Sequence, residues 1–180
     1  RQGETTFSEL LKEVLALPGL ERLRFMSPHP LYFGDDFTAL LAGEKKLARY
    51  MHLPIQSGSD RILKLMRRGY TRAQYLALLA RLRAAAPDLA VSTDFIVGYP
   101  GETEGDFAET LSIVAEGRFT MAYCFKYSPR SDKPEMAATI SETEMEARLE
   151  KLLETVKTNS RLVLNERIGK IEEVLFETET

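Results

Sequence analysis

The stretch STDFIVGYPGET, residues 92–103, sets Asp94 inside an apolar run and then turns through Gly98, Pro100 and Gly101 into a Glu-Thr pair suited to a helix start. A short run of β-branched and aromatic residues reads as a strand. Side chains alternate along a strand, so Ser92, Asp94, Ile96 and Gly98 share one face while Val91, Thr93, Phe95 and Val97 share the other. A carboxylate in such a run needs a partner, and the fold turns on what Asp94 faces.

Three further segments have the same character: RLRFMS (22–27), YMHLPI (50–55) and TMAYCFKYS (120–128). Helical periodicity separates them. Phe7, Leu10, Leu11 and Val14 are spaced i, i+3, i+4, i+7, as are Tyr75, Leu78, Leu79 and Leu82. Phe107, Leu111, Val114 and Ala115 form a third stripe, and Leu149, Leu152, Leu153 and Val156 a fourth. Thr6 with Glu9, Thr71 with Gln74 and Ser141 with Glu144 predict capping boxes at three helix starts.

Alternating strands and helices imply a parallel sheet, either doubly wound or curled into a barrel. On each strand one face reads as polar: Arg22 and Arg24 on the first, His52 and Gln56 on the second, Ser92 and Asp94 on the third, and Cys124, Lys126 and Ser128 on the fourth. A sheet covered by helices on both sides should be apolar on both. Polar faces gathered inside a wide lumen favour the barrel, whose working groups collect at the C-terminal ends of the strands. Four strands fall short of the about eight that usually close one, so a partial barrel is expected.

The whole chain of 180 residues is 44% hydrophobic and 28% charged, enough for the core of a globular domain. No apolar run approaches the ~20 residues that span a bilayer, so a soluble protein is expected, and the single cysteine fits a reducing, cytoplasmic compartment. Its start at Arg1 and its end inside the alternating IEEVLFETET (171–180) suggest a piece of something longer. The single cysteine, Cys124, excludes an internal disulfide and any multi-cysteine metal site built from this chain alone. Seven basic residues and no acid lie between Arg61 and Arg83, which fits either solvated helix faces or an anion-binding surface.

In this picture Gln56, Asp94 and Lys126 point inward near the ends of successive strands. Two readings of Asp94 fit. It accepts hydrogen bonds from paired ribose hydroxyls, with Gln56 beside it and the glycines leaving room for a flat ligand; or it caps a local turn and the glycines only satisfy backbone angles. His29 and His52 lack metal-ligand spacing and read as hydrogen-bonded core residues. Cys124 reads as an inert buried thiol.

The segments HLPIQSGSDRILKLMRRGYTR (52–72), STDFIVGYPGETEGDF (92–107), RLRFMSPHP (22–30) and FKYSPRSDKP (125–134), in this order, resemble the radical S-adenosylmethionine methylthiotransferases. The resemblance implies an α/β fold: a partial, TIM-like (β/α)6 radical SAM barrel, of which residues 1–165 supply the last four βα units. Residues 166–180 resemble the start of a TRAM RNA-binding β-barrel, cut short. It also implies that S-adenosylmethionine is held by Gln56, Ser57, Arg68, Asp94, Ile96 and Gly98, with backbone around Phe125 and Tyr127 reading the adenine edge. Asp94 and Gln56 would take the ribose, and Arg68 the methionine carboxylate.

The family's three-cysteine loop for a [4Fe–4S] cluster is not in this chain, nor are the three cysteines of its second cluster, so the clusters belong to the full-length parent and the fragment alone is expected to be inactive. Where family members read Arg-x-Gly-Thr-Pro, this chain has Arg130, Ser131, Asp132, Lys133 and Pro134. Ser57 and Gly58 after Gln56 resemble the branch that adds a methylthio group to C2 of N6-isopentenyladenosine 37 in tRNA. The branch acting on a ribosomal-protein aspartate carries a His there. A noncatalytic RNA-binding module and an aldolase-like barrel using Lys126 as a Schiff-base lysine are the other readings.

Overall fold

A computed structural model describes residues 5–129 and 140–171. Helix α1 (Phe7–Leu15) precedes a 3-10 turn (Pro30–Tyr32) and α2 (Asp35–Gly43). Strand β1 (Tyr50–His52), α3 (Asp60–Leu65) and α4 (Arg72–Ala85) follow, then β2 (Ala90–Val97), α5 (Glu104–Gly117), β3 (Met121–Lys126) and the long α6 (Glu142–Asn165). The strands form a parallel sheet in the order β1-β2-β3. Parallel neighbours need long crossovers, and α3 with α4, then α5, supply them.

The expected first strand, 22–27, is reduced to one parallel bridge between Leu23 and Leu47. Leu23 and Phe25 nevertheless pack against the core while Arg22 and Arg24 are exposed, as the alternation predicts. The sheet of the described residues is thus open and three-stranded, without closure into a barrel. Helix α6 ends in a C-cap at Glu166; most of the tail expected to open a further domain, and Arg130 through Pro134, lie outside the described residues.

Register decides which face of each strand meets the helices. Asp94 pairs with Tyr123, Ile96 with Phe125, Phe95 with Cys124 and Val97 with Lys126. Val91, Phe95 and Val97 are fully buried, packed in one core with Tyr75, Leu79 and Leu82 of α4, Phe107 and Val114 of α5, and Leu152 of α6. At one end of this core Phe7, Phe25, Phe33 and Phe37 cluster, Phe7 edge-on to Phe25 and Phe33 edge-on to Phe37, with the Phe33 and Phe37 centroids 4.4 Å apart.

The α4 stripe is buried at all four predicted positions. On α1 the buried positions are Ser8, Leu11 and Leu15, and Leu10 is exposed, with Phe7 turned onto the aromatic group. The capping boxes at Thr6 and Thr71 form in full. At Ser141 only half forms: its hydroxyl accepts from the Glu144 N–H, while the Glu144 carboxylate turns to Arg148 instead. Helix α5 starts with a box that alternation alone did not single out, Thr103 with Asp106.

Candidate functional site

The face of the sheet opposite the helices carries His52, Ser92, Asp94, Ile96, Met121, Tyr123 and Phe125, as the register requires. Met121, Tyr123 and Phe125 on it are about half exposed. At its centre a line of hydrogen bonds crosses two strands. The Tyr50 hydroxyl lies 2.6 Å from Ser92 Oγ, and Ser92 Oγ lies 2.8 Å from His52 Nδ1. His52 Nε2 lies 3.3 Å from the Asp94 carboxylate. His52 and Ser92 are buried, whereas the Asp94 side chain is 21% exposed.

Asp94 and Ile96 therefore reach the open face, as predicted. Gln56 forms a parallel bridge with Phe95, the helix-side residue between them, in a strained backbone, φ +79°, its N–H donating to the Asp94 carbonyl and its own carbonyl accepting from the Ile96 N–H; the alternation that grouped Gln56 with His52 is broken by this one-residue slip in pairing. Among the described residues its side-chain amide has no hydrogen-bond partner. Phe125 presents its ring beside Ile96. The Tyr127 N–H donates to the Val97 carbonyl, and its ring lies 5.2 Å from that of Tyr99.

Three sites differ from the sequence picture. Ser57 is fully buried and directs its hydroxyl to Thr110 of α5, 3.3 Å away. Arg68 spends two donors within the fold, Nε on the Tyr70 hydroxyl and Nη2 on the Pro54 carbonyl, each at 3.0 Å. Gly98 has φ +77°, and a Cβ there would come within 2.5 Å of Met145 of α6, so its missing side chain makes room for that helix.

The inward direction assigned to Lys126 is overturned. Its register partner is Val97, on the helix side, and its ammonium is held by Glu142 and Glu146 of α6. Those two carboxylates raise its pKa, the opposite of what a Schiff-base lysine needs. Cys124 shares that face; burial, with the Asp94 charge adding, pushes its thiol up to about 11, in keeping with an inert thiol.

Behind the glycine turn lies a buried ion pair. Glu102 Oε2 accepts from the Gly98 N–H and from Arg148 Nη1, both at 2.8 Å. Most of the basic block is also wired into the fold. Arg61 pairs with Asp106, Arg72 bonds the Gly58 and Glu109 carbonyls and Glu116, Arg81 bonds the Phe33 carbonyl, and Arg83 bonds the Gly117 carbonyl. The solvated-face and phosphate-contact readings both overlooked this third use. Cations do gather at the N-terminal ends of the strands, where a groove of about 460 Å³ is lined by Arg22, Arg24, Lys45, Arg49 and Arg167 with Asp88.

The family model of the radical SAM superfamily matches residues 3–114. The chain belongs to that superfamily. It is 43% identical over 175 residues to a tRNA-2-methylthio-N(6)-dimethylallyladenosine synthase of Acetivibrio thermocellus, covering 96% of this chain and 36% of that protein. It is 40% identical over 174 residues to the protein of the same name from Yersinia enterocolitica, covering 96% of this chain and 37% of the relative. The chain thus spans little more than a third of the length of these curated relatives. Among solved structures, coproporphyrinogen III oxidase from Escherichia coli, a radical SAM enzyme, superposes with a TM-score of 0.60 at 20% identity, over 72% of this chain and 31% of that one. That likeness shows the fold.

His52, Tyr50 and Tyr123 are the site residues that sequence reasoning did not join to Asp94, whereas Ser92 was already on its face. Alternation puts Tyr50 and His52 on one face, but their meeting with Ser92 and Asp94 depends on the register between strands. Among the described residues no group of three or more His, Cys, Asp or Glu side chains is arranged to hold a metal, and no helix is long and apolar enough to cross a membrane.

Proposed function

We propose that this chain is the C-terminal part of the catalytic barrel of a radical SAM methylthiotransferase that modifies tRNA at an N6-isopentenyladenosine, with residues 1–165 as its last four βα units and the tail opening a TRAM-like domain. The observation that carries the reading is Asp94, held on the open face of a radical SAM sheet within a chain 40–43% identical to tRNA methylthio-transferring synthases.

The residues of this face suit a nucleoside. Asp94 offers acceptor oxygens to a ribose diol, and Ile96 with the exposed Phe125 ring supplies an apolar flank for a base; the Gln56 amide, without a hydrogen-bond partner among the described residues, both donates and accepts at the strand end beside them. Arg68 keeps N–H donors beyond those used by Tyr70 and Pro54, and these suit a carboxylate. S-adenosylmethionine, reductively cleaved, supplies the one-electron chemistry that opens an unactivated C–H bond. This chain's own part is to hold the nucleoside in one orientation and to keep water from it. With one cysteine it does not fit an iron–sulfur cluster, so the cluster ligands would come from elsewhere in the parent protein.

The test is S-adenosylmethionine affinity in the full-length, cluster-loaded protein carrying this chain. Asp94→Ala and Arg68→Ala are each expected to weaken binding; unchanged affinity in both removes the site. Mass spectrometry of tRNA nucleosides, with and without the protein, then reads the methylthio product.

A second reading, a noncatalytic RNA-binding module, draws on the cationic groove at the N-terminal ends of the strands. It predicts salt-sensitive tRNA binding that falls on Arg24→Ala with Lys45→Ala, and no affinity for S-adenosylmethionine.

A further inference from the structure

The line from Tyr50 to Asp94 has one direction. An ionised carboxylate only accepts hydrogen bonds, so His52 Nε2 carries the proton toward Asp94. In a neutral ring Nδ1 then accepts, and the Ser92 hydroxyl donates to it at 2.8 Å. Ser92 Oγ in turn accepts from the Tyr50 hydroxyl at 2.6 Å. Each donor is used once, and each step fixes the next. The Tyr123 ring, edge-on at 5.8 Å, stands against the imidazole, and Arg24 lies over the Tyr50 ring at 5.2 Å.

His52 and Ser92 are buried, so the middle of the line lies within the wall, and it meets the open face at Asp94. Among the described residues, His52 is the side chain that hydrogen-bonds the Asp94 carboxylate. Without it the carboxylate is free to turn among staggered rotamers and to meet water.

We infer that His52 is a positioning residue: its Nε2–H holds the Asp94 carboxylate in the orientation that presents its remaining lone pairs to a ribose diol, and Ser92 with Tyr50 sets the tautomer that makes this possible. This rests on the S-adenosylmethionine reading of Asp94. Ordering a ligating group through a second hydrogen bond is the same physics that orients histidines around metals.

The experiment compares two substitutions in the full-length, cluster-loaded protein. A Gln amide nitrogen reaches the place of Nε2, whereas an Asn side chain reaches only that of Nδ1. S-adenosylmethionine affinity is expected to fall about tenfold or more in His52→Asn, the loss expected for one hydrogen bond to a charged group, and to stay within about threefold of the parent in His52→Gln. Equal affinities in the two variants, whether both kept or both lost, overturn the assignment. Should neither variant fold, as judged by melting, Ser92→Ala is read in their place: weakened binding supports the tautomer line and unchanged binding overturns it. Asp94→Asn serves as reference. If Asp94→Asn leaves affinity unchanged, the site reading itself fails; if it weakens binding while the Gln and Asn variants agree, only the role of His52 fails.

Discussion

Arg148 on α6 donates to Glu102 at the end of the glycine turn, Nη1 to Oε2 at 2.8 Å, with the two side chains 6% and 0% exposed. Glu144 and, at 3.6 Å, Glu104 add negative charge on the Arg148 side. Glu102 Oε1 and Arg148 Nε are buried without a partner among the described residues, and burial raises the Glu102 pKa against the pull of Gly98 and Arg148. Arg148→Met strands the carboxylate and is expected to destabilise the fold by about 3–5 kcal/mol, measured by denaturant unfolding. Glu102→Leu with Arg148→Met removes both charges and should recover most of that loss. A double variant no better than Arg148→Met alone would show that the arginine acts through its packing over Phe107.

Asp106 joins α5 to the loop before α3. Burial opposes its charge, but hydrogen bonds from Arg61, Ser59 and Thr103 outweigh that and hold its carboxyl well below the ordinary value of 3.8. A carboxyl depressed in the folded state contributes stability that is complete above the unfolded value and is lost as pH falls through the folded one. Unfolding free energy should therefore decline below about pH 4, and Asp106→Asn should flatten that decline while lowering stability near neutral pH. An acid limb identical in the variant would assign the decline to other carboxylates.

Gly98→Ala combines two faults. The backbone at φ +77° disfavours any side chain, and the new methyl would meet Met145. The strain alone is expected to cost about 1–3 kcal/mol. Adding Met145→Ala should relieve the overlap but leave the strain, so the pair should melt between the parent and Gly98→Ala.

Lys126 decides against aldolase chemistry. Borohydride treatment with a carbonyl substrate should leave Lys126 unmodified, because Glu142 and Glu146 keep it protonated on the far side of the sheet. Reductive trapping at Lys126, located by peptide mass spectrometry, would reverse that conclusion.

The α4 stripe, the caps at Thr6 and Thr71 and the alternation through Asp94 were all legible because they depend on neighbours three or four residues away in a helix, or two in a strand. β3 was read on the wrong face. Its polar residues Cys124 and Lys126 looked inward-facing, yet register pairs them with Phe95 and Val97, and only the acids of α6, sixteen or more residues on, explain a lysine there. The inner face of β3 carries Met121, Tyr123 and Phe125 instead. Asp94 was found by its oddity within an apolar run, while His52 was not tied to it, since cross-strand partners are a property of pairing rather than of local pattern. Helix α2, with its buried Phe37 and Leu41, lacks a side-chain cap and so gave no start signal.

Met145 fills the hollow behind Gly98, and that makes α6 the back wall of the turn. Anyone wishing to admit a bulkier guest at this end of the sheet would have to trim a methionine more than forty positions downstream, not the loop itself. Shortening the chain before α6 would leave the turn without its support.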